Sequence, residues 1–118
     1  MKMRKASTFA VAIVIALLTI NAVSVDRLKS HVTWLSDPAR AGRRAGLPGA
    51  AEAAGYIERQ FKDLGFQVQV QEFGAGRRNV VAKFGTSERY VLIGSHYDGQ
   101  GQGFPSASDN AAGIAVMI

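Results

Sequence analysis

Apolar positions recur every three to four residues in two stretches of this chain and every second residue in a third. Val25, Leu28, Val32 and Leu35 keep helical spacing, with Ser24 placed to cap the start and Ser36-Asp37-Pro38 to stop the helix. Trp34 and His31 lie beside that stripe, and a lone histidine there reads as a packing or exposed residue rather than a ligand. ARAGRRAGLPGA reads as a loop by its glycines and proline, with its arginines in a solvated turn. A second helix is predicted over AAEAAGYIERQFKDLG, where Ala54, Ile57, Phe61 and Leu64 share a face and Gly65 ends it. Glu58 and Lys62, four residues apart, are spaced as a surface ion pair.

Phe66, Val68 and Val70 then alternate with Gln67, Gln69 and Gln71, the pattern of a half-exposed strand. GAGRRN turns the chain and NVVAKF supplies a partner, so a hairpin is expected. YVLIGS is a continuous apolar run of the kind found in a strand covered on both faces. From Asp109 onward the residues suit the first turns of an apolar helix. The order helix, helix, strand, strand, strand, helix predicts an α/β fold, a mixed sheet with helices on both faces.

Charge changes the picture at the N-terminus. Lys2, Arg4 and Lys5 precede an uncharged stretch, Ala6 to Val25, densest at FAVAIVIALLTI. This is a basic region followed by an apolar one, with small residues at Ala22-Val23-Ser24 for cleavage. Residues 1–24 therefore read as a signal peptide or membrane anchor, and the chain as exported: periplasmic or secreted, with the membrane involved only through an uncleaved leader. Without those three leader charges, 11 basic residues face 9 acidic ones. That near-balance excludes a nucleic-acid partner, which needs a clustered basic face. Cysteine is absent, which excludes disulfides and thiolate metal sites.

The candidate chemistry lies in GSHYDGQGQGFPSASDNAAG, residues 94–113. A histidine and carboxylates at the mouth of an apolar strand are costly to desolvate unless compensated, and a metal ion can compensate them. His96 and Asp98, two apart, point to the same side of an extended backbone. A carboxylate that is not a ligand can accept the second ring N–H of a metal-bound histidine. Asp109 follows a loop built from Gly99, Gly101, Gly103 and Pro105, which lets the chain double back toward the strand end. Its two oxygens can bridge two cations.

HYD followed by PSASDNAAG resembles the co-catalytic di-zinc aminopeptidases, whose relatives include glutaminyl cyclases and glutamate carboxypeptidases. LSDPARAGRRAGLPGAAEAAGYIERQFKDLGF, NVVAKF and YVLIGSHYD extend the likeness over Val25 to Ile118. The resemblance implies that His96 binds one of two zinc ions, that Asp109 bridges both, and that Asp98 supports His96. It implies a peptide substrate with a free N-terminus and amide hydrolysis by an exopeptidase. Ser108 and Ala112 depart from the family's usual residues, at positions that are not ligands. The family's remaining ligands and its general-base Glu come from later segments. Residues 25–118 are therefore expected to form an incomplete N-terminal portion of a zinc peptidase domain, inactive alone. A non-catalytic, peptidase-like binding or interaction fragment is the alternative.

Two other chemistries fit less well. GQGQG lies between a strand and a helix, but Phe104 stands where a dinucleotide loop needs its third glycine. Ser95, His96 and Asp98 include triad residue types, yet sequence neighbours rarely line up nucleophile, base and orienter, and no G-x-S-x-G elbow is present.

Overall fold

The computed structural model describes residues 23–118. The leader assigned to residues 1–24 lies, save its last two residues, outside the described part. Among the described residues no helix is long and apolar enough to cross a membrane.

Helix α1 runs Val25–Ser36, and the Ser24 side chain accepts a hydrogen bond from the Arg27 N–H at 3.3 Å, as expected of its cap. Its buried face differs from the simple stripe. Leu35 is fully buried and Val25 is exposed, while His31 turns into the interior. There its Nδ1 lies 2.6 Å from the Tyr56 hydroxyl, so it is the packing residue its position suggests. Asp37 ends α1 and accepts the Ala39 N–H at 2.8 Å, opening a 3-10 turn over Pro38–Arg43.

Helix α2, Pro48–Asp63, begins on a proline and buries Ala53, Ala54, Ile57 and Phe61. It stops at Gly65, whose φ of 84° suits glycine. The Gly65 N–H bonds to Lys62 O at 2.9 Å and the Phe66 N–H to Phe61 O at 3.0 Å, the paired closure of a Schellman motif. Glu58 and Lys62 pair at 2.6 Å. Against α1, Trp34 stacks on Tyr56 with centroids 4.0 Å apart, and the Arg40 guanidinium sits 3.8 Å from the Trp34 ring centre.

Strands β1 (Gln67–Glu72) and β2 (Arg78–Lys83) form the anticipated antiparallel hairpin, with Val70 opposite Val80. Val68, Val80 and Ala82 face the core cluster of Leu35, Ala53, Ile57, Phe61, Ala111 and Ile114. A short helix α3, Ala112–Met117, closes that cluster by burying Ile114 and Ala115.

The fold is thus a small α/β arrangement, but the sheet differs from the one expected. Among the described residues it has two strands, both antiparallel, rather than the mixed sheet with helices on both faces. The run Tyr90–Ser95 is not a strand, and Tyr90, Val91, Leu92 and Ile93 are 72–88% exposed. An apolar run predicts burial only where neighbours can pair its edges and cover its faces. β2 pairs with β1 alone, so this run has neither.

Candidate functional site

Tyr97 anchors the end of the apolar run. Its side chain packs toward the core, and its hydroxyl donates to Arg78 O on β2 at 2.6 Å. Burial raises the Tyr97 pKa above its ordinary value, with the Arg78 charge pulling it back and Asp98 adding to the rise. Because neighbouring side chains in extended backbone alternate, anchoring Tyr97 inward leaves His96 and Asp98 outward.

The structure sets His96 between two carboxylates. Its Nε2 is 3.2 Å from Asp109 Oδ1, while its Nδ1 is 3.3 Å from both the carboxylate and the main-chain carbonyl of Asp98. The two aspartates therefore flank the ring instead of converging on one point. A proton on Nδ1 facing Asp98 would leave the Nε2 lone pair for a cation held between the ring and Asp109. All three side chains are solvent-facing, with His96 54% and Asp109 68% exposed.

Asp109 reaches this position through a π-type turn at Ala107–Ala111, and it precedes α3 rather than starting it. The Asp109–Asn110 peptide is cis. Asn110, read from sequence only as a small residue allowing close approach, ties the turn down. Its amide donates to Ser95 Oγ at 2.7 Å and accepts the Gly113 N–H at 3.0 Å. A Cβ at Gly113 would fall 2.4 Å from Asn110 Oδ1, so this approach requires glycine. The Ser95 hydroxyl thus pairs with Asn110 while both imidazole nitrogens face aspartates, which removes the arrangement a serine triad needs.

Arg43 is the residue the sequence reading misplaced. Expected in a solvated turn, it is fully buried, whereas its neighbour Arg44 is exposed. Burial lowers the guanidinium pKa from its ordinary value, and the Asp98 charge partly restores it. A groove of about 910 Å³ borders the site, lined by β2 residues, by Val91 to Asp98 and by Ile114, Val116 and Met117 of α3.

An imidazole nitrogen and a carboxylate oxygen are donor types that zinc accepts. Two donors each ~2.0–2.2 Å from one ion stand roughly 3.3–3.6 Å apart at a tetrahedral angle. The 3.2 Å between His96 and Asp109 falls just short of that range. By donor type the residues present fit part of a zinc shell. Among the described residues no group of three or more His, Cys, Asp or Glu is placed to hold a metal ion.

His96, Asp98 and Asp109 all lie in one matched stretch. Residues 79–118 match the model of peptidase family M28. The M28 match begins in β2, so it does not reach the likeness read upstream over α1, α2 and β1. The chain is also similar to an acetylornithine deacetylase of Vibrio atlanticus (strain LGP32), 47% identical over 38 residues. Those residues are 32% of this chain and 10% of the relative, so the matched part spans about a tenth of that protein's length. No solved structure gives a significant match. Over residues 79–118 the chain is thus similar to a metallopeptidase family.

Proposed function

We propose that this chain carries the N-terminal part of a zinc-dependent aminopeptidase that removes N-terminal residues from peptides. One observation carries the reading: inside the M28-matching stretch, one imidazole stands between two carboxylates, each facing a different ring nitrogen. In this reading His96, through Nε2, and Asp109 would hold the zinc. Asp98 holds the proton on Nδ1, which fixes the tautomer and makes Nε2 a better donor. Asn110 keeps the Asp109 turn seated against Ser95. When bound, the zinc supplies the Lewis acidity that amide hydrolysis needs.

The same proposal covers the finer architecture and the location. Tyr90–Ser95, unpaired and exposed here, would become an inner strand of a mixed sheet once a partner strand lies alongside it, a reading supported by its apolar run and by the groove between it and β2. The chain is exported, with residues 1–24 as leader; cell fractionation with N-terminal sequencing tests this. His96 and Asp109 supply only part of a zinc shell, so in this reading these residues bind metal but do not by themselves turn over substrate. A peptidase-like binding fragment without chemistry is the second reading, and the two-donor shell favours it for the chain alone.

Calorimetric titration of the chain with Zn²⁺ tests the proposal. Binding to the native chain that is abolished in His96→Ala and in Asp109→Ala is the expected result. Equal binding by all three overturns it. Turnover of amino-acid amides by the chain alone would sink the incomplete-site part.

A further inference from the structure

We propose that Arg43 is a positioning residue whose guanidinium fixes the His96–Asp98 segment relative to the Asp109 turn, and so sets the spacing between the two candidate ligands. Its bearing on metal rests on the proposed zinc site; its bearing on geometry does not.

The Arg43 side chain has no solvent exposure and reaches carbonyls in three separate segments. Nε donates to Tyr97 O at 2.9 Å, between His96 and Asp98. Nη1 donates to Pro105 O at 3.0 Å and to Leu35 O at the end of α1. Nη2 donates to Ser106 O at 2.8 Å. The Ser106 carbonyl also accepts the Ala111 N–H at 3.2 Å, the bond that closes the turn presenting Asp109. One side chain thus grips the segment before the glycine loop and the segment after it.

The main chain repeats the grip. Gly99 N–H donates to Arg43 O at 3.0 Å and Gly101 N–H to Gly42 O at 3.2 Å. The two backbones approach so closely that a Cβ at Gly42 would fall 1.8 Å from Gly101 O. Ala41, Gly42 and Arg43 all adopt left-handed φ, at 44°, 67° and 53°. Residues bearing a Cβ hold that conformation only where the surroundings over-determine it. Here the return is that Arg43 projects inward while Arg44 stays at the surface.

A planar fork suits this task. Guanidinium offers five N–H groups in fixed directions, whereas an ammonium offers three from a single point. Lysine at 43 would keep the charge and lose the span.

The test uses the full 118-residue chain, with Co²⁺ as the probe metal. Arg43→Lys is compared with the exposed Arg44→Lys and with Ala53→Gly, a buried helix substitution that lowers stability without touching the loop. Circular dichroism and melting are recorded on each. We expect Arg43→Lys to bind Co²⁺ at least tenfold more weakly and to shift its visible absorption bands, with both controls near the native chain. In the metal-free chain, amide exchange at Gly99, Gly101 and Ala111 should accelerate selectively. Native affinity and spectrum in Arg43→Lys overturn the proposal, as does an equal loss in Ala53→Gly. If the native chain takes up no Co²⁺, the zinc reading fails and the exchange data decide alone. Selective acceleration then upholds the positioning role, and uniform or absent acceleration ends it. Should Arg43→Lys not fold, Arg43→Gln is read the same way.

Discussion

Two sets of large apolar side chains meet opposite fates in this molecule. Ile57 and Phe61 of α2 are buried to 2% and 5% exposure, while Leu92 and Ile93 stand at 85% and 72%. Helix α2 brings its own hydrogen bonds and needs only one covered face, which α1, α3 and the hairpin provide. The Tyr90–Ile93 run needs lateral partners as well. Composition therefore predicts a wish to be buried, and topology decides whether it is granted.

The largest expected effect falls in the packed half. Phe61→Ala should destabilise the chain by about 3–5 kcal/mol, read from urea unfolding. A loss below about 1 kcal/mol would mean that α2 is not the core it is described to be. In the strand-end half, His96→Ala should abolish Zn²⁺ binding while leaving the melting temperature unchanged. A marked drop in melting would make His96 a structural residue instead. Asp98→Asn should weaken metal binding by about 10–100-fold, since it alters the ring's hydrogen-bond partner and removes no ligand.

His31 sharpens the contrast between the two histidines. Burial lowers its pKa from the ordinary value near 6.5, with the Arg27 charge adding to the effect. The unfolded chain then binds the proton more readily than the folded one. Its contribution to stability is complete above about pH 6.5 and is lost as pH falls toward the lowered value. Melting should drop across that window, and less so in His31→Gln; identical profiles would show that His31 does not carry the effect. The smallest effect is expected at Leu92→Ser, within about 0.5 kcal/mol in either direction. A loss above about 1 kcal/mol would reveal packing of that run in solution.

Much of the scaffold was legible from spacing. Ser24, Gly65 and the alternating Val68 and Val70 act locally, through caps and pleats that a few neighbouring residues decide. The pairing of His96 with Asp109 was also within reach, because the glycine loop advertises a reversal between them. Arg43 was not legible. Its partners are carbonyls at positions 35, 97, 105 and 106, which carry no side-chain signature, and its surroundings of Ala, Gly and Arg read as solvated loop. The exposed Tyr90–Ile93 run was misjudged for the converse reason. Its periodicity describes what would bury it and says nothing about whether a partner strand lies alongside.

Trp34 is the chain's single tryptophan. Flanked by the Tyr56 ring and the Arg40 guanidinium, it senses how the segment carrying Arg40 and Arg43 seats on the two long helices. The molecule consequently contains its own optical gauge, whose fluorescence can follow the docking of that segment without a label.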